Sequence, residues 1–146
     1  MGSVLEKVQL VKDESARIGE YLKTLSPEAW ATQSACDAWQ VSDVVAHLTG
    51  AVDRFGPNIV RGLAGDDSAP EGMPPAGVGD MAARLRANAQ VAIDFKESLG
   101  GEILAAYNDS RVRFDAVFAE VKEADKDKLC YHAAGTISIE TYLNLR

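Results

Sequence analysis

The stretch VLEKVQLVKDESARIGEYLKTL, residues 4–25, decides the fold class of this chain. Its apolar side chains, with one polar exception, recur at alternating four- and three-residue steps, which places them on one face of a helix. The stripe comprises Val4, Val8, Val11, Ser15, Ile18, Leu22 and Leu25, with Ser15 as its only polar member. A helix of this kind buries its stripe against other helices, so the spacing predicts a helical bundle.

The rest of the chain continues the helical pattern. We predict helices from Val41 to Ala64, from Met81 to Leu99, from Glu102 to about Ala124, and from Ile139 to Arg146. Asp80 and Ser138 are suitable N-caps, and residues 65–79, rich in Gly and Pro, predict a mobile loop. The apolar side chains expected to face inward on the third helix are Met81, Leu85, Val91, Ala92, Phe95 and Leu99. The pattern therefore predicts an all-α, up-and-down four-helix bundle, residues 1–146 forming one domain whose last helix is short or truncated.

Composition excludes several classes of function. The chain has 146 residues, 15 basic against 22 acidic, for a net charge of −7. Without a basic patch it is not expected to bind nucleic acid or an anionic membrane surface. No apolar run reaches the ~20 residues that span a bilayer, and charged residues interrupt the N-terminus early. We therefore expect a cytoplasmic protein.

Two cysteines, Cys36 and Cys130, lie far apart in the sequence and without CxxC spacing. In a reducing compartment this favours free thiols over a disulfide. His132 follows Cys130 closely, which leaves a nucleophilic Cys130 open as an alternative to a part-buried structural thiol. The structural thiol is the preferred interpretation.

The stretch SACDAWQVSDVVAHL, residues 34–48, carries the candidate chemistry. It places His47 on the inward side of the second long helix, and imidazole is a common metal ligand. One imidazole does not hold a metal, since zinc sites use three or four protein ligands, so a satisfied polar histidine stays open. Asp43 lies one turn earlier, where it would either orient His47 or cap the helix; we favour the cap.

The pattern Cys36-x-x-Trp39-x-Val41-x-Asp43-Val44-Val45-x-His47-Leu48 resembles the signature of the DinB-like superfamily. Within that superfamily it is most similar to the mycothiol-dependent maleylpyruvate isomerase N-terminal family of actinobacteria. The Asp-capped third helix and the segment from His132 to Ser138 are similar too. The resemblance implies a DinB/YfiT-like four-helix bundle that holds a divalent metal, zinc or nickel, with His47 as one ligand.

The resemblance also implies a reaction. Members of this type are isomerases or S-transferases in which a low-molecular-weight thiol such as mycothiol attacks a small electrophilic substrate. Their remaining ligands follow a pattern like R-x-x-E-x-x-x-H that begins at the position of Arg146, so we expect the metal site to be incomplete in this chain. A His47/His132/Glu140 set is the substitute that the sequence itself offers.

Two other functions remain open. The chain is alternatively a non-catalytic helical binding or dimerisation module that has lost the metal site, or an enzyme whose site is completed across a dimer. A short last helix leaves apolar surface exposed, and such surface favours association. We therefore expect a homodimer.

Overall fold

Helix α3, Val41–Leu63, is the centre of the fold, because the next two long helices, α4 (Met81–Leu99) and α5 (Ile103–Ala119), both pack along it. The computed structural model describes residues 2–145. In order, its helices are α1 (Val4–Leu22), α2 (Pro27–Trp30), α3, α4 (Met81–Leu99), α5 (Ile103–Ala119) and α6 (Ile139–Asn144). Two short strands, β1 (Leu129–Cys130) and β2 (Ile137–Ser138), pair antiparallel, with Leu129 opposite Ser138. The predicted all-α bundle with a short last helix is confirmed.

Local hydrogen bonds explain where the helices begin. The Ser3 hydroxyl accepts from the Glu6 N–H at 3.2 Å, and Glu6 Oε2 accepts from the Ser3 N–H at 2.7 Å, which forms a capping box for α1. Asp80 and Ser138 cap α4 and α6, as predicted. Their side-chain oxygens accept hydrogen bonds from the N–H groups of Ala83 and Thr141, respectively. Arg146, the predicted end of the last helix, lies outside the described residues.

Helices α1 and α5 end three or more residues earlier than predicted. Helix α1 stops at Leu22 instead of Leu25, because Thr24 turns back and both its N–H and its hydroxyl donate to the Tyr21 carbonyl. Helix α5 stops at Ala119 instead of Ala124. There Asp125 accepts from the Lys122 N–H at 2.8 Å and organises a 3-10 turn.

The core consists of two clusters at different levels of the bundle. The larger one joins α1, α3, α5 and α6 with the β1 strand, through Val4, Val8, Val52, Ile59, Phe114, Phe118, Val121, Cys130, Ile139, Tyr142 and Leu143. The smaller one joins α1, α3 and α5 through Leu22, Val45, Ala46, Ile103 and Tyr107. Trp30 of α2 packs against the smaller cluster. Within residues 2–145 no helix combines the length and the apolar character needed to cross a membrane.

The prediction of which α4 side chains face inward is partly wrong. Ala92 is buried and Phe95 and Leu99 pack on the smaller cluster, as expected. Met81, Leu85 and Val91, however, are 38%, 62% and 48% exposed. The reason is that α4 is a peripheral helix that packs mainly on α3, so a single strip of its surface is covered.

The predicted mobile loop, residues 65–79, is attached to the segment between the strands. The Tyr131 hydroxyl donates to the Pro74 carbonyl at 2.9 Å. The Ala133 carbonyl accepts from the Gly77 N–H at 3.1 Å and from Arg84 Nη1 at 2.8 Å. These three hydrogen bonds, which we call the loop clip, give the second half of the loop a fixed position.

Candidate active site

A cavity of about 740 Å³ opens between α1, α3, α5 and α6. Members of both core clusters line it, including Val52 and Phe114 from the larger and Tyr107 from the smaller. Its volume falls in the range of pockets that bind small molecules. The cavity holds the histidines His47 and His132 together with the charged side chains Lys7, Glu14, Arg111 and Asp115. It is therefore the candidate site of the protein.

Helix α3 places His47 in the wall of this cavity. The side chain is half-buried, and the ring of Trp39 lies against it, with 5.3 Å between the ring centroids and 45° between the planes. Trp39 belongs to the connector before α3, where the Trp39 N–H donates to the Cys36 carbonyl. The predicted inward position of His47 is thus observed, and the tryptophan of the same motif packs on it.

Asp43 serves the start of α3 and its contact with α4. Its Oδ2 accepts from the Gln40 N–H at 2.8 Å, and its Oδ1 lies 2.7 Å from Lys96 Nζ. Both oxygens of this buried carboxylate therefore have partners other than His47. The preferred interpretation of Asp43 as a capping residue agrees with the first contact, and the ion pair to α4 is an addition that the sequence pattern did not predict.

His132 reaches the same cavity from the turn between the two strands. Its ring stacks on Phe55 of α3, with 5.8 Å between centroids and 18° between planes. Its Nδ1 accepts from the Ala134 N–H at 3.2 Å. Burial lowers the pKa of His132 from its usual 6.5, because desolvation disfavours the charged ring. The neutral ring is thus the form that the structure favours.

The model of the mycothiol maleylpyruvate isomerase N-terminal domain matches residues 11–136 of this chain. The chain belongs to this family. The match includes the motif around His47, strand β1 and the His132 turn. Searches of curated proteins and of solved structures returned no match. The resemblance stated from the sequence is therefore confirmed at the level of the family.

In this mycothiol maleylpyruvate isomerase N-terminal domain, the described residues do not fit a complete metal site. No three His, Cys, Asp or Glu side chains among residues 2–145 lie together in a way that would hold a metal ion. Glu140 is engaged with Lys7, at 2.6 Å between Oε1 and Nζ. His132 uses Nδ1 as an acceptor, so its neutral ring carries the proton on Nε2 and has no lone pair left for a metal. The substitute set of His47, His132 and Glu140 is therefore wrong.

The cavity also contains polar groups that the sequence analysis missed. Arg111 of α5 lines it, with a loose ion pair to Asp115 at 4.0 Å and a buried Nε that has no hydrogen-bond partner among residues 2–145. Ser15 lines it from α1, and its carbonyl accepts from the Tyr107 hydroxyl at 2.9 Å. Ser15 had a signal, as the single polar member of an apolar stripe. Arg111 had no such signal in the sequence, because a single arginine on a helix cannot be told from an ordinary surface arginine.

The two cysteines do not form a catalytic pair with these groups. Cys36 is exposed on the connector, whereas Cys130 is fully buried in the larger cluster. Burial raises the pKa of the Cys130 thiol to about 11, which keeps it protonated near neutral pH. Cys130 is therefore a structural thiol, in agreement with the preferred interpretation.

Proposed function

We propose that this domain binds a low-molecular-weight thiol of the mycothiol type and a small electrophilic molecule in the 740 Å³ cavity, as part of an isomerase or S-transferase. The observation that carries the proposal is the coincidence of family and site: the motif that resembles the family signature contains His47, and His47 lies in the wall of this cavity. Walls that combine apolar side chains with charged and polar groups suit a small polar organic molecule.

The reaction proposed is thiol addition. A thiolate adds to an electrophilic carbon of a cis double bond, the resulting single bond rotates, and elimination of the thiolate returns the trans product. The thiol is regenerated, so it is a cofactor and not a reactant. In an S-transferase the adduct is instead the product. The chain's own part in either case is to hold both molecules close together between α1, α3 and α5.

His47 is proposed as a ligand of a zinc or nickel ion whose other donors come from a second copy of the chain in a homodimer, since residues 2–145 of one copy do not supply them. Within those residues the required group of three does not occur. The test is metal content by inductively coupled plasma mass spectrometry, for the wild type and for His47→Ala. Stoichiometric metal that is lost in the variant supports the ligand role. Folded wild type without metal contradicts it.

Thiol binding is tested separately, by isothermal titration of mycothiol into the purified protein. We expect saturable binding that weakens when the cavity is filled by Ser15→Leu and persists in Ser15→Ala. Wild type that binds no mycothiol contradicts the proposed function. Binding without turnover of any electrophile would instead favour a non-catalytic binding module, which the missing three-ligand group among residues 2–145 also supports.

The protein is also proposed to form a homodimer in the cytoplasm. The feature that supports association is the apolar surface of α4 and of the loop before it, where Met73, Val78, Met81, Leu85 and Val91 are exposed. A dimer has twice the chain mass of 15.6 kDa. Light scattering tests this directly: we expect the dimer mass for the wild type and a shift toward the monomer for Leu85→Lys. A monomeric wild type overturns it.

A further inference from the structure

The cavity contains a second histidine, His132, to which the proposed chemistry gives no role. His132 lies in the turn that connects the antiparallel strands β1 and β2. One face of its ring is covered by Phe55, at 5.8 Å between centroids. An aromatic stack of this geometry is favourable and fixes the plane of the ring.

Hydrogen bonding within the turn decides which nitrogen carries the proton. The Ala134 N–H can only donate, and it points to His132 Nδ1 at 3.2 Å. Nδ1 must therefore offer a lone pair, which leaves the proton of the neutral ring on Nε2. No hydrogen bond joins Nε2 to any other residue in the range 2–145. The structure thus presents an N–H donor on a ring that lines the cavity.

The turn itself is held in place by the loop clip. Arg84 and Gly77 both donate to the Ala133 carbonyl, one residue beyond His132. Tyr131, one residue before it, donates to Pro74. The Gly135 N–H also donates to the His132 carbonyl at 3.0 Å. Because the residues before and after His132 are both held by hydrogen bonds, its ring is preorganised and loses little entropy when it binds a ligand.

We propose that His132 donates a hydrogen bond from Nε2 to a carbonyl or carboxylate oxygen of the small molecule bound in the cavity. This assignment rests on the proposed function, because it takes the cavity as the place where the small molecule binds. An Nε2–H group suits an oxygen acceptor and cannot ligate a metal. His132 is therefore a substrate-binding residue, in a role distinct from that of His47.

The tautomer is measured first, on the wild type and without any ligand. Long-range ¹H–¹⁵N correlation spectra of the ¹⁵N-labelled protein at pH 7.5 distinguish the two neutral tautomers and the cation. The signals of His132 are assigned by their loss in His132→Gln. We expect the Nε2–H tautomer. An Nδ1–H tautomer or a cationic ring overturns the inference.

Binding is measured next, with pyruvate as a probe that carries both a carbonyl and a carboxylate, and with acetone and acetate to separate the two oxygens. His132→Phe keeps a ring on Phe55 but removes the donor, and we expect it to weaken binding about tenfold, the effect of losing one hydrogen bond to a charged or polarised acceptor. His132→Gln supplies an amide N–H near the position of Nε2 and should recover most of that loss. Phe55 is unchanged in both variants, so a purely structural effect would affect them alike.

The outcomes separate this inference from the proposed function. Equal affinity of wild type and His132→Phe, or no saturable binding of any of the three probes, overturns the role of His132. Mycothiol titrated into the same samples reports on the proposed function. If mycothiol binds while the probes do not, the cavity binds a thiol and the inference alone has failed.

Discussion

Single side chains in this domain differ sharply in their chemical environment, and the two cysteines show the extreme case. Cys36 is exposed, while Cys130 is fully buried with its pKa raised to about 11. We predict that a chromogenic disulfide reagent at pH 8 modifies one thiol per native chain and two per unfolded chain. Cys36→Ser should abolish the native reaction. Rapid modification of Cys130 in that variant would contradict the described burial.

His132 gives a prediction about pH. Its pKa is lowered by desolvation, so the unfolded chain binds a proton more readily than the folded one. The free energy of unfolding should therefore fall as the pH drops below about 6.5, the value of an unburied histidine. Denaturant unfolding between pH 5.5 and 8 measures this. The decline should be smaller in His132→Gln, and an unchanged slope would mean that other groups cause it.

The contact between α3 and β1 depends on one glycine. A Cβ on Gly62 would lie 2.6 Å from the Leu129 carbonyl oxygen and 2.7 Å from the Cys130 Cβ. Both are closer than real atoms approach, and the Leu129 carbonyl is backbone that cannot move aside alone. We expect Gly62→Ala to lower the free energy of unfolding by about 1–3 kcal/mol, the usual cost of overpacking.

The matched control for Gly62 is Gly101, in the turn between α4 and α5. A Cβ there has no atom within 4 Å. Gly101→Ala should leave the free energy of unfolding nearly unchanged. Urea unfolding of both variants gives the comparison, and equal effects would show that α3 and β1 are less closely packed than described.

The contact between α3 and α4 depends on the Asp43–Lys96 ion pair, at 2.7 Å. Asp43→Asn keeps an oxygen for the Gln40 N–H and loses the charge, whereas Asp43→Ala loses both. We expect Asp43→Ala to be more destabilising than Asp43→Asn by about 1 kcal/mol, the typical net contribution of one hydrogen bond. A double-mutant cycle with Lys96→Met gives the energy of the pair itself. If the two Asp43 variants are equal, the cap contributes nothing measurable.

The helices were predictable from the sequence because their stripes and caps are local. The stripe from Val4 to Leu22 and the caps at Asp80 and Ser138 appear in the structure as the spacing indicates. The exposure of Leu85 could not be predicted, since it depends on which neighbours α4 has. His47 was found by its motif. The place of Arg111 in the cavity depends on tertiary geometry, which no sequence pattern encodes. The hydrogen bond from Ala134 to His132 is local, but it depends on the backbone conformation of the turn, which the sequence pattern did not predict.

The cavity leaves space between the helices unfilled, which lowers the free energy of unfolding of the molecule as a whole. Ser15 is where the apolar stripe of α1 meets that space. We predict that Ser15→Leu raises the free energy of unfolding by about 1 kcal/mol, because added methylene groups are buried there. The same variant should lose mycothiol binding, while Ser15→Ala keeps it. Thermal unfolding and titration calorimetry check both parts, and a stabilised variant that still binds mycothiol would place the thiol elsewhere.

The loop clip has a consequence for protein engineering. Its contacts begin at Pro74, so the loop is attached to the strand turn only from that residue onward. Extra residues added between Gly65 and Met73 would extend outward and leave the turn in place. The same insertion after Pro74 would change the distance that Gly77 and Arg84 must span and would displace the His132 ring. An affinity tag or a reporter peptide is therefore best inserted in the first half of this loop.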